Sequence, residues 1–190
     1  GDFEGAEREA ARTLELGTAL GQPDVWIFQL ALQGNLLMLQ GRIDRDYAYL
    51  LASTSESTPA LQSPRIGAAA VLCEIGLLDE AAAVLTPILN DDVVMIRDDL
   101  LWLDSALLAS KVFPRLRLGA AAENLYQRLL PLEGRLDYTG VQSWGCVDEG
   151  LALLADFLES PDTERHFKNA LSVYRRAGAA YFTARVKIHH

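Results

Sequence analysis

Lysine is scarce in this chain: Lys111, Lys168 and Lys187 are the only ones among 17 basic residues, set against 26 acidic residues for a formal charge of −9. A duplex-binding surface needs clustered Lys and Arg to displace condensed counterions, and no such cluster occurs, so direct nucleic-acid contact is not expected. The only cysteines, Cys73 and Cys146, lie far apart, each inside a helical pattern. They read as small buried hydrophobes in a reducing compartment rather than as a disulfide or metal site. No apolar run approaches the ~18 residues of a membrane span, no signal peptide opens the chain and no Asn-x-Ser/Thr acceptor occurs, which together point to a cytoplasmic protein without membrane contact. Phosphate loops, Gly-x-Gly-x-x-Gly and His-Glu-x-x-His are all missing, and no cofactor is called for. His166, the one histidine away from the terminus, has no recognisable nucleophile or second polar partner, as a general base requires; it reads as flanking a helix packing surface. This stretch is therefore expected not to be an enzyme.

What is present is a helix-forming composition. Half of the 190 residues are hydrophobic and 23% are charged, with Leu and Ala dominant and β-branched residues few. Ala6-Glu7-Arg8, Leu14 and Gly21 recur as Thr163-Glu164-Arg165, Leu171 and Gly178, an offset of 157 residues, about four times 39. Intervening copies follow a stripe at i, i+4, i+7 and i+8. It runs through Ala6/Ala10/Thr13/Leu14, Ile43/Tyr47/Leu50/Leu51, Ala81/Leu85/Ile88/Leu89, Ala121/Leu125/Arg128/Leu129 and Thr163/Phe167/Ala170/Leu171. Those positions share one helical face, and the starts are spaced 37, 38, 40 and 42 residues apart. Ala31, Ala69 and Ala109 each lie twelve residues before a start, where a small side chain lets paired helices approach; the fourth copy has Leu151 there, with Gly150 or Ala152 one residue away.

The pattern predicts an all-α fold, a right-handed α-solenoid of about four to five degenerate tetratricopeptide-like helix pairs with longer turns than the regular repeat. Helices are expected near 3–20, 24–40, 43–56, 60–75, 78–89, 98–112, 116–130, 145–159 and 162–177, with a tenth from about 180. Gly21, Gly41, Gly76 and Gly178 are placed as left-handed residues after helices. Pro23, Pro59 and Pro161 suit first turns, with Thr58 and Ser160 as N-caps. Two longer connections, 90–96 and 131–140, are either functional loops or devices that re-aim the next pair. The acidic pairs Asp91-Asp92, Asp98-Asp99 and Asp148-Glu149 read as solvated faces, and Asp98-Asp99 as first-turn residues favoured by the helix dipole.

Trp26, Trp102 and Trp144 each fall near the start of a first-in-pair helix, the set that lines the concave side of such solenoids. Gln29 and Gln33 follow Trp26 at helical spacing, and Asp98 and Ser105 flank Trp102. A groove built from Trp26, Gln29, Gln33, Trp102, Ser105 and Trp144 would suit a peptide or a cationic organic ligand. The alternative is that each tryptophan packs between helices.

Several phrases resemble a known family. Glu7-Arg8 through Leu20-Gly21-Gln22-Pro23-Asp24, Leu39-Gln40-Gly41-Arg42-Ile43-Asp44, Leu125-Tyr126-Gln127-Arg128-Leu129-Leu130-Pro131 and Glu164-Arg165-His166-Phe167 through Arg175-Arg176-Ala177-Gly178-Ala179 are similar to the repeat regions of large bacterial signal-transduction ATPases. These include LuxR-type transcription regulators and cyclase-fused homologues. The resemblance implies a sensor or scaffold: effector or protein binding to the repeats would control an NTPase and, through it, a transcriptional or signalling output in other domains of the same parent chain. Residues 1–188 are expected to form a single repeat domain of a larger protein, with 189–190 a tag remnant. A purely architectural module, self-associating as a homodimer, is the competing expectation.

Overall fold

The computed structural model describes residues 2–57, 61–90, 93–94 and 96–189. Thr58, Pro59, the Asp91-Asp92 pair, Met95 and His190 lie outside the described residues. The fold is all-helical, consistent with an α-solenoid. Its helices are α1 (Phe3–Ala19), α2 (Val25–Leu39), α3 (Arg45–Ser57), α4 (Ser63–Glu74), α5 (Leu78–Leu85), α6 (Trp102–Arg115), α7 (Gly119–Leu129), α8 (Val147–Phe157), α9 (Thr163–Arg176) and α10 (Ala180–His189). Short 3-10 turns extend α5 and α7, and a two-residue antiparallel pairing joins Leu89–Asn90 (β1) to Val93–Val94 (β2).

The second position of the repeated stripe is buried in every copy, as Ala10, Tyr47, Leu85, Leu125 and Phe167, whereas Thr13 and Leu50 of the same stripe are exposed. Ala69 with Ala81, and Ala109 with Ala121, are shut off from solvent, where α4 packs on α5 and α6 on α7. In the fourth copy the one-residue shift is realised. Ala152 joins Phe167 and Ala170 in the cluster between α8 and α9. Gly150 instead faces α6, where a Cβ would come within 3.0 Å of Leu107 and 3.1 Å of Ser110.

Helix ends follow a shared geometry. Gly21, Gly41, Gly76 and Gly178 have positive φ, and so do Arg117 and Glu159 at the matching places after α6 and α8. At each, the next amide donates back across the last turn, as from Leu77 to Leu72 (2.9 Å), Leu118 to Phe113 (3.0 Å) and Ser160 to Ala155 (2.8 Å). Pro23 and Pro161 sit in the turns just before α2 and α9 rather than inside them. Ser160 does not cap α9; Asp162 holds that position. The α6 start also differs from expectation: Asp98 and Asp99 precede the helix, with Asp99 accepting from the Leu101 amide (2.9 Å) and Asp98 paired to Arg128.

Helices α4, α6 and α8 pack in a row, with α3 and α5 against α4, α7 against α6 and α8, and α9 against α8. Helix α2 breaks the series. It lies on α1 but stands off from α3 and α4. The Tyr47 side chain spans part of that gap: its hydroxyl donates to the Leu30 carbonyl, and it passes so close to Gly34 that a Cβ there would be 2.3 Å away.

Candidate functional site

From Glu133 to Cys146 the chain forms a hairpin-like strap. Leu136 bridges Cys146, Asp137 N donates to Gly145 O (3.0 Å), Val147 N to Arg135 O (3.0 Å) and Thr139 N to Gln142 O (3.1 Å). Buried groups pin it at several points. The Asp148 carboxylate accepts from Gly134 N (2.7 Å) and that of Asp137 from Trp144 N (3.2 Å). Asn35 of α2 donates to the Ser143 carbonyl (3.3 Å). The Trp144 carbonyl accepts from both Lys111 Nζ (3.2 Å) and Arg185 Nη2 (3.1 Å). At Gly145 the strap crosses the Tyr174 hydroxyl with φ +127°, and a Cβ would lie 2.3 Å from that oxygen, so no other residue fits.

The strap tip closes the gap beside α2. The result is a cavity of about 270 Å³, lined by α2, α3, α4, the start of α6 and the strap. Most of its wall is hydrocarbon, supplied by residues such as Leu30, Leu51, Val71 and Leu108, with Tyr47, Tyr138 and Trp144 adding aromatic faces. Phe28, Leu100 and Tyr138, all largely exposed, belong to the same lining and mark where it meets solvent. That volume lies just below the usual range for small-molecule sites, about 300–1,000 Å³. It suits a compact ligand rather than an extended peptide.

One acid sits in this apolar wall. Asp104, only 2% exposed, accepts hydrogen bonds from Ser63 Oγ (2.6 Å) and Gln142 Nε2 (2.9 Å). The Trp144 indole N–H faces the same carboxylate without reaching hydrogen-bond geometry. Burial pushes the Asp104 carboxyl up, opposed by these donors and by the charge of Lys111. Asp137, buried behind the strap, is raised to about 6 by burial and by the Asp104 charge. Lys111 is lowered to about 8 by burial and by repulsion from Arg185. Further along, Glu149 pairs with Arg185 (Nε–Oε1 2.7 Å) and accepts from the Tyr174 hydroxyl. Burial opposes its charge, but the guanidinium prevails and holds it below the ordinary carboxylate range.

The sequence-expected groove residues are not brought together. Trp144 lines the cavity, although it belongs to the strap and precedes α8. Gln29 and Gln33 border a second depression of about 310 Å³ between α1 and α2, beside Glu7 and Arg42. Trp26 is largely exposed and lines neither. Trp102 carries the Arg128 guanidinium over its ring at 4.9 Å. Its indole N–H and the buried Ser105 hydroxyl find no hydrogen-bond partner among the described residues. His166 is fully buried, 3.0 Å from the Tyr126 hydroxyl, with burial lowering its pKa. Burial raises both cysteine thiols to about 11. Sequence reasoning missed Asp104, Ser63 and Gln142. Asp104 had left a signal: it is the one acid on a helical stripe with Leu100, Leu101, Leu107 and Leu108.

Among the described residues, no helix is long and apolar enough to cross a membrane, and no group of three or more His, Cys, Asp and Glu side chains gathers to hold a metal ion. A scan against protein-family models and searches of curated proteins and of solved structures find no match to this chain.

Proposed function

We propose that this chain is a regulatory helical-repeat module, a right-handed solenoid of four to five degenerate tetratricopeptide-like pairs, that binds a small effector in the cavity beside α2. The observation that carries this reading is the cavity itself: an apolar space walled by four helices and a strap, where the neighbouring helix layers pack closely. Leaving such a space unfilled forfeits contacts that a dense interior otherwise makes, and a ligand restores them. The family resemblance supplies the wider expectation, that occupancy is relayed to an NTPase-linked transcriptional or signalling output in the parent chain.

A panel of small metabolites screened by thermal unfolding tests the proposal. A ligand at one hundred times its Kd stabilises the folded state by about 2.7 kcal/mol, on the order of 5–10 °C for a chain of this size. Gly67→Leu, which projects a side chain into the cavity from α4, should abolish that rise. Trp26→Ala and Trp102→Ala lie away from the cavity and should leave it intact. A rise that survives Gly67→Leu but is lost in the tryptophan variants would return the site to the wider groove read from the sequence.

A second reading, an architectural self-association module, draws on the exposed Leu16 of α1, Leu20 just after it, and Tyr181 and Ile188 of α10. Sedimentation of the chain and of a Leu16→Glu/Leu20→Glu variant tests it. A concentration-dependent dimer that the double variant dissolves supports it, and a monomer at all concentrations removes it.

A further inference from the structure

The cavity wall carries an acid whose hydrogen-bond donors are both neutral. Asp104 lies there, and no Lys, Arg or His among the described residues joins that lining. Nor is Asp104 in any ion pair among the described residues; each carboxylate oxygen is met by one neutral donor, Ser63 or Gln142. A second acid, Asp137, is buried close enough to add to the negative potential there. Lys111 bears on both acids, yet its ammonium is committed to the Trp144 carbonyl (3.2 Å) and lies over the Trp144 ring at 5.7 Å. A buried carboxylate held only by neutral donors is costly in a low-dielectric wall, and a cation arriving from outside relieves that cost. Phe28, Tyr138 and Trp144 on the same lining are aromatic residues of the kind that attract a desolvated ammonium. The remaining wall is hydrocarbon. An anionic ligand would meet Asp104 with no basic residue to offset it.

Resting on the reading of the cavity as a ligand site, we propose that its occupant is a small organic cation: a primary ammonium on a short hydrocarbon or aromatic body, with the ammonium against Asp104. The apolar part fills the space between α2, α3 and α4, and the ammonium donates to carboxylate oxygens that already accept from Ser63 and Gln142. In Asp104→Asn the polar contacts can be kept. The Asn carbonyl accepts from Ser63, and its amide donates to Gln142 Oε1 once the Gln142 amide turns over; that oxygen has no partner among the described residues.

Calorimetric titration of the full chain with hexylamine, hexan-1-ol and hexanoate at pH 7 tests the assignment. The amine should bind about tenfold tighter than the alcohol or better, as expected of a charge-assisted hydrogen bond, and hexanoate should bind weakest. Asp104→Asn should bring the amine down to the affinity of the alcohol while leaving the alcohol unchanged. An alcohol that binds as tightly as the amine, or an amine unaffected by Asp104→Asn, overturns the cation assignment while the cavity remains a binding site. Failure of all three ligands on the unsubstituted chain overturns the cavity reading as well. The ranking of the three on the unsubstituted chain decides the matter even if the variant does not fold.

Discussion

Arg117 and Glu159 hold φ values of 55° and 54°, in the left-handed region that costs a side chain about 1–2 kcal/mol and glycine little. The helix ends at Gly21, Gly41, Gly76 and Gly178 meet the same demand with the residue suited to it. Arg117→Gly and Glu159→Gly should each stabilise the fold by about 0.5–1 kcal/mol, the lost strain being partly offset by a more flexible unfolded chain; urea unfolding of each variant checks this. Asp137 acts on stability with the opposite sign from a surface carboxylate. Its folded-state pKa of about 6 lies above the unfolded value, so the folded protein holds a proton that the unfolded chain releases. Stability from this group is complete below about pH 4 and falls as the pH rises to about 6, by roughly 1–3 kcal/mol. Asp137→Asn should therefore flatten the profile across that window. If variant and parent run parallel from pH 4 to 7, Asp137 is not the buried acid described.

At the scale of elements, α10 is held by few large apolar contacts and by one buried ion pair. Arg185 reaches Glu149 of α8 and the Trp144 carbonyl, while Phe182 stacks on Tyr174 at 5.2 Å. Removing one partner of a buried pair leaves the other uncompensated, a loss of about 3–5 kcal/mol. Arg185→Met should lower stability by that order and raise amide exchange across 180–189; unchanged exchange there would show that α10 is held by something else. The helices themselves were legible in the sequence because the stripe of Ala10, Tyr47, Leu85, Leu125 and Phe167 reports burial directly, and the four glycines mark where helices end. The start of α6 was not legible. Asp98 and Asp99 have the charge of first-turn residues, but they are used by Arg128 and by a turn amide instead. The strap was visible only as a long connection. Its course depends on acids at 137 and 148 meeting backbone amides at 144 and 134, and nothing in helical periodicity encodes such pairings.

Across the whole molecule, the departure from regular stacking coincides with the cavity, and it leaves stability unclaimed. Gly67 lies in the interior of α4 on the cavity wall, and a Cβ there would make only ordinary contacts, 3.5 Å to Leu51 and 4.0 Å to Leu108. Gly67→Ala should stabilise the empty protein by about 1 kcal/mol through helix propensity, while narrowing the cavity and weakening its ligand. Thermal unfolding with and without the amine checks both halves. The cavity was beyond the reach of a linear reading, since Ser63, Asp104 and Gln142 converge only after α4, α6 and the strap have packed. Their meeting place has a mechanical side. The peptide oxygen of Trp144 takes a proton donor from α6 and another from α10, and the indole of the same residue walls the cavity. The outline of the cavity and the pose of the last helix are thus tied together through one peptide oxygen.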